Sequence, residues 1–186
     1  MFKKVFGLLL VAGLSSGAVM AETDQTGAVI LPLTESSYQP HFTLSAIGGV
    51  LTPDDGDIDS GSVTGVELSL DCPLFQPPMG VIRQQVSYTT YSKNDLTVSS
   101  FELNPHFLVE ITKDLLVGGG PGFGFVTTDP EKGDSENYLA FQMGLNVQYK
   151  AGPLLLGSEF RKQWTQKKDD SDFNNNRLLV KVGYNF

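Results

Sequence analysis

Residues 138–150 read YLAFQMGLNVQYK, and every second side chain is apolar. Leu139, Phe141, Met143, Leu145, Val147 and Tyr149 share one face. Tyr138, Ala140, Gln142, Gly144, Asn146 and Gln148 share the other. Successive side chains of a β-strand point to opposite faces, so a period of two marks a strand between an apolar and a polar surrounding.

The same alternation runs through the flanking sequence. In Ser100 to Ile111, Phe101, Leu103, Pro105, Phe107, Val109 and Ile111 oppose Ser100, Glu102, Asn104, His106, Leu108 and Glu110. At the end of the chain, Leu178, Val180, Val182, Tyr184 and Phe186 oppose Leu179, Lys181, Gly183 and Asn185. Weaker versions fill the gaps. The pattern predicts eight strands near 41–51, 63–72, 81–91, 98–111, 115–126, 138–150, 154–164 and 177–186, with no amphipathic helix after His41. Strands of about ten residues, tilted, span a hydrocarbon layer.

The connections alternate in character. Thr112–Asp114 and Ala151–Pro153 are tight turns, whereas Thr52–Ser62, Thr127–Asn137 and Thr165–Asn176 are long and rich in Asp, Asn and Gly. Ser92–Thr97 is a shorter member of that second set. The Asp71–Gly80 connection carries Pro73, Pro77 and Pro78. Short turns at one end and long loops at the other are the layout of an outer-membrane barrel.

Composition narrows the class. The chain has 186 residues, a net charge of −8, 20 Gly, 12 Phe and one Cys, with mean hydropathy −0.07. Spanning helices would raise that hydropathy. An acidic balance disfavours nucleic acid as a partner. One Cys excludes an internal disulfide framework and a Cys-rich metal site. Residues 1–21 have the three parts of an export signal: Lys3 and Lys4, the apolar run Val5–Leu14, then Val19 and Ala21 before a cut at Glu22. Residues 22–40 are expected to form an N-terminal periplasmic tail, free or plugging the lumen, and 41–186 the barrel.

Alternation alone allows either polarity. A soluble periplasmic barrel holds its apolar face inside, around an apolar ligand, whereas a membrane barrel turns it to lipid. The polar faces carry Glu67, Asp71, Arg83, Glu102, Glu110, Glu159, Arg161 and Lys181. One face of 115–126 is Leu116, Gly118, Gly120, Gly122 and Gly124, which leaves room for long side chains in a narrow interior. Glycines and ion pairs inside, wrapped in Phe, Leu and Val, fit lipid outside.

The terminal VKVGYNF, with Val180, Val182, Tyr184 and Phe186 at alternate steps, resembles the C-terminal sorting signature of bacterial outer-membrane barrels. From His41 to Phe186 the chain resembles the small eight-stranded outer-membrane proteins of the OmpA-barrel and OmpX type, without a peptidoglycan-binding domain after the barrel. The resemblance implies a closed antiparallel up-and-down barrel, long loops outside the cell, turns in the periplasm and a monomer. It implies the barrel-assembly machinery as a partner of the last strand, and outer-membrane lipid with lipopolysaccharide as surroundings.

Strand heights suggest two lumen pairs, Glu159 with Lys181, and Asp71 with Arg83 near the periplasmic mouth. His106 joins this set on the face of Glu102 and Glu110. Such a lining either gates a narrow solute channel or fills the barrel as a polar core; eight strands leave space only for side chains. The outer loops concentrate negative charge at Asp54, Asp55, Asp57, Asp59, Asp129, Glu131, Asp134 and Glu136. Asp55-x-Asp57-x-Asp59 starts like an EF-hand, but Ser60 and Val66 stand where the turn Gly and closing Glu belong. A solvated loop that bridges lipopolysaccharide phosphates through divalent counter-ions is the better reading, with no resident cofactor.

Some small outer-membrane barrels are lipid A deacylases or acyltransferases, which need a Ser activated by a His. Here Pro105-His106-Phe107 lacks the Ser that the deacylases carry two residues after His, and no G-x-S-x-G or H-E-x-x-H occurs. The expected protein is therefore non-enzymatic, acting through its surface loops or in envelope integrity. Cys72 falls on the lipid side by parity with Val66, Leu68 and Leu70, as a buried thiol or a link to another chain.

Overall fold

The computed structural model describes residues 27–56, 58–131, 133–168 and 172–186. The expected export signal, residue Asp57 and part of the 165–176 loop lie outside the described residues. Among the described residues the chain forms ten strands in order: β1 (Val29–Ile30), β2 (Thr43–Pro53), β3 (Gly61–Asp71), β4 (Phe75–Gln76), β5 (Val81–Lys93), β6 (Leu96–Thr112), β7 (Leu115–Pro130), β8 (Glu136–Ala151), β9 (Leu154–Thr165) and β10 (Asn175–Asn185). Eight of them close a barrel, β10-β2-β3-β5-β6-β7-β8-β9, with every neighbour antiparallel. The seam pairs Asn175 with Pro53 through to Asn185 with Thr43. Closure leaves no row of unpaired N–H and C=O groups, which is what hydrocarbon demands.

The polarity is inside-out. Phe125, Leu145 and Leu178 are 61 %, 69 % and 60 % exposed on the outer wall, whereas Arg161, Arg177 and Lys181 are 0 % exposed inside. Water would favour the reverse, because an apolar residue gains by leaving water and an unpaired buried charge is costly. The soluble barrel with an apolar lumen is thereby overturned.

Two sequence readings need correction at the strand ends. Strands β6, β7 and β8 run for 17, 16 and 16 residues, beyond the ten that span hydrocarbon. The Ser92–Thr97 loop shrinks to Asn94-Asp95, whose φ values of 46° and 63° make the two-residue turn that matches strand twist. Thr127–Asn137 likewise shortens, since Thr127 still pairs with Asn137 and Thr128 with Glu136. Apolar alternation fades there because the outer face becomes polar while Leu96, Val98 and Val126 turn inward, and the backbone ladder continues.

Residues 27–40 are folded. Strand β1 pairs with β4, Leu31 N donates to Leu74 O (2.9 Å), and Tyr38 donates its hydroxyl to Asp71 O (2.6 Å). Cys72, read as a buried thiol on the lipid side or a link to another chain, is buried, but under protein: Gln84 donates to its Sγ (3.3 Å) and Gln76 to its carbonyl (3.1 Å). Parity assigned it correctly to the outer side, but it cannot see the chain that covers this end of the wall.

Candidate functional site

The bore holds a charge-balanced network of three carboxylates and three cations. Glu67 comes from β3, Glu102 from β6, Glu159 and Arg161 from β9, and Arg177 and Lys181 from β10. Arg161 reaches all three carboxylates: Nη1 to Glu102 (2.6 Å), Nη2 to Glu67 (3.2 Å), and Nε to Glu159. Arg177 Nη1 meets the other Glu102 oxygen at 2.6 Å. Lys181 Nζ stands 2.6 Å from Glu67 and 2.5 Å from Glu159. Each carboxylate therefore faces two cations, and the bonds tie β3 and β6 to β9 and β10 across the lumen. All six residues are at most 2 % exposed. In so dry a place each charge persists because its partners replace lost water.

Neutral polar groups complete the layer. Arg177 also donates to Gln163 Oε1 (2.6 Å), Asn175 Oδ1 (2.9 Å) and Ser100 Oγ (3.2 Å). Lys181 donates to Gln85 Oε1 (3.2 Å). His106 lies 3.4 Å from Asn146 and 3.9 Å from Glu159. Gly144 sits against the imidazole: a Cβ there would be 2.8 Å from His106 Cε1.

Of the predicted lumen residues, the structure brings Glu67, Glu102, His106, Glu159, Arg161 and Lys181 together. Asp71 and Arg83 form a separate cluster at the short-turn mouth. Arg83 Nη1 meets Asp71 Oδ1 at 2.9 Å, its Nη2 donates to Thr43 Oγ1 (2.7 Å) and Ser69 Oγ (2.9 Å), and His41 Nδ1 is 2.7 Å from Asp71 Oδ2. Burial raises the Tyr38 phenol above its usual pKa, helped by the nearby Asp71 carboxylate, so Tyr38 stays a donor to Asp71 O. Glu110 does not join the network. It is exposed at this mouth, in a cavity of about 420 Å³ shared with Lys150, Gln148 and Leu116. Its parity is right, but its height, two positions past Leu108, puts it outside the packed bore. Arg177 is the residue the sequence reading missed, hidden at the junction of a polar loop and the last strand. Its spacing of two residues from Leu179 and four from Lys181 is the signal that places it inside.

Apolar layers flank the ions. At the long-loop end Leu51, Val63, Tyr91, Val98, Val126, Tyr138 and Phe173 form a buried cluster with Ile58 against it. Phe173 belongs to the β9–β10 loop and is 3 % exposed, so that loop folds into the barrel mouth. Toward the short turns Leu108, Leu116 and Leu155 are buried at lumen-facing positions. Among the described residues the middle of the lumen is thus packed, between the short-turn cavity and a second of about 290 Å³ at the long-loop mouth beside Ile58, Leu96, Tyr138 and Phe173.

The acidic loop residues engage local partners. Asp54 takes Lys162 (2.7 Å) and Asn176 (3.0 Å); Asp59 accepts from Tyr91 and Asn94; Asp129 accepts from Ser135 (2.6 Å); Glu136 accepts from Tyr138. Asp55 O accepts from Ile58 N (3.2 Å), Glu131 N donates to Asp95 O (2.7 Å), and Asp134 is exposed. Among the described residues no three His, Cys, Asp or Glu side chains converge as a metal cage. The terminal signature lies wholly on the outer wall, with Val180, Val182, Tyr184 and Phe186 all at least half exposed. Tyr184 and Phe186 pack edge to face at 5.4 Å, and Phe186 N closes the seam on Phe42 O (2.9 Å).

Three solved structures share this architecture. The N-terminal β-barrel domain of OprF from Pseudomonas aeruginosa superposes with TM-score 0.51 at 12 % identity, over 80 % of this chain and 100 % of that one. Ail, the attachment invasion locus protein of Yersinia pestis, gives 0.51 at 12 % identity, over 78 % and 97 %. Neisserial surface protein A gives 0.52 at 14 % identity, over 77 % and 95 %. The fold is that of the small outer-membrane barrels. At these identities the likeness is one of backbone, and side chains speak only for this chain. No family model matches the sequence, and no curated protein matches it.

Proposed function

We propose that the protein is a non-enzymatic, non-conducting barrel of the bacterial outer membrane, acting through its loop surface or through the integrity of the envelope. The observation that carries this reading is the filled bore: a neutral ionic layer, with a buried apolar cluster including Phe173 across the long-loop mouth. Conduction would need a continuous wet path, and eight strands leave space only for side chains. Against catalysis, His106 is 1 % exposed and its close partners are Asn146 and Glu159, with no hydroxyl nucleophile on its ring.

On this reading the first 21 residues are an export signal, the long loops face outward and the short turns face the periplasm. The lipid-facing wall meets outer-membrane lipid and lipopolysaccharide, with divalent counter-ions between lipid phosphates and the acidic loops. The assembly machinery reads Val180 to Phe186. Ail's structure holds a heparin analogue, sucrose octasulfate. Loops with Asp54, Asp55, Asp59, Asp129, Glu131 and Asp134 disfavour such a polyanion here.

Cell fractionation tests the location: the reading expects the protein in the outer-membrane fraction, with faster gel migration before heating than after. Planar bilayers test the bore: no steady conductance is expected from the wild-type protein. Soluble protein, or open-channel current from the native barrel, would count against the corresponding part.

A further inference from the structure

The second connection departs from the pattern of the other short-turn links. Residues 27–35 and 72–80 are tied into one unit by the β1–β4 ladder, by Leu31 N to Leu74 O and by Leu33 N to Pro73 O (3.2 Å). Its outer surface is apolar: Leu33, Leu74 and Met79 are 64 %, 60 % and 76 % exposed, joined by Ile30 and Phe75. Glu35 is the one charged residue in these two stretches of a strongly acidic chain. A connection immersed in water does not gather such a patch without a partner.

Its position says what the partner is. Gly80 lies flat on the barrel wall, where a Cβ would stand 2.4 Å from Leu108 O and 3.0 Å from the Phe107 ring. Phe107 belongs to the outward row that continues through Val109 to Ile111, all exposed. The β5–β6 register pairs Val81 with Leu108. The unit therefore stands beside the lower edge of the lipid-facing wall. From Leu70 on that wall to Leu74 the chain spans at most about 13 Å, at roughly 3.3 Å per residue. The polar layer of a bilayer leaflet is itself on the order of 5–8 Å deep. Tyr38, an aromatic with its hydroxyl bonded inward to Asp71, is of the residue type that marks this boundary.

We propose that residues 27–35 and 72–80 form a lipid-seated foot, with Ile30, Leu33, Leu74, Phe75 and Met79 in the headgroup–acyl boundary of the adjacent phospholipid leaflet. The occupant is phospholipid, because the patch is continuous with the hydrocarbon-facing wall and almost free of charge. The foot fixes the height of the barrel at this rim and keeps Cys72 and Gln84 away from lipid. This inference rests on the membrane-barrel reading above.

Tryptophan quenching tests it on the full protein refolded into phosphatidylcholine vesicles. Native Trp164, on the outer wall, reports insertion of the barrel. Leu33→Trp and Met79→Trp, each in a Trp164→Phe background, report the foot. Lipid brominated near the headgroup should quench both reporter indoles at least half as strongly as it quenches Trp164, with blue-shifted emission. Quenching of Trp164 with red-shifted, unquenched reporters overturns the foot and leaves the barrel reading intact. Blue-shifted reporters that lipid does not quench, and whose emission depends on protein-to-lipid ratio, overturn it in favour of contact between copies. Failure to quench Trp164 as well overturns both readings.

Discussion

Glu102 accepts one oxygen's bond from Arg161 and the other's from Arg177, both at 2.6 Å and without access to water. Removing its charge leaves Arg177 without its carboxylate in a dry bore and takes one of three from Arg161. Breaking a buried pair from one side costs about 3–5 kcal/mol. Glu102→Gln should therefore lower unfolding free energy by about that amount in urea titration of the refolded barrel. Asp54→Asn should cost less than about 1 kcal/mol, because Lys162 and Asp54 are solvent-accessible partners. Equal costs for the two would contradict the assignment of the ions to the bore. The members Glu67, Glu102, Glu159, Arg161 and Lys181 were legible because a charge on the polar stripe of an otherwise apolar strand has one place to go. Arg177 was not, because a strand end that abuts a polar loop offers little contrast. Glu110 was placed too deep, since alternation gives the side of a residue and not its height.

The strands themselves were legible at the level of existence and facing, and less so in extent. Inside the lipid-spanning zone the outer face must be apolar, so Leu139 to Tyr149 announce themselves. Beyond it the outer face is free to be polar, and Thr127 to Pro130 look like loop while all four still pair with β6 and Thr127 and Thr128 also with β8. The interior of β8 is crowded at Gly144, where a Cβ would meet His106 and, at 3.1 Å, Glu159. Gly144→Leu should destabilise by about 1–3 kcal/mol or more through overpacking, seen as a lower urea midpoint and lower refolding yield. Leu145→Ile, one position along and facing outward, should leave both nearly unchanged. The N-terminal segment was not legible, because a two-residue ladder has no periodicity to read. Tyr38→Phe removes its bond to Asp71 O and should speed proteolytic cleavage within 27–40 while the barrel keeps its heat-modifiable mobility.

At the scale of the molecule, closure and polarity decide together. A closed sheet with apolar residues outward is stable only where hydrocarbon replaces water on that surface, and a charged interior is stable only where the charges cancel. The second condition holds here, with Glu67, Glu102 and Glu159 balanced by Arg161, Arg177 and Lys181, and the first is what the proposed membrane location supplies. The fold class was readable from alternation, strand count and the terminal aromatic. The apolar seal at the long-loop mouth was not, since Phe173 lies in a polar stretch and only the folded loop brings it to Tyr91, Val98 and Val126.

The most direct test is nitroxide labelling at Phe141, Leu145, Leu178 and Val182, one at a time, in the barrel refolded into lipid vesicles. Power saturation should show high collision rates with oxygen and low rates with a water-soluble nickel chelate at all four positions. High nickel and low oxygen accessibility at these sites would mean that the apolar wall does not face hydrocarbon, and the inside-out barrel would be wrong.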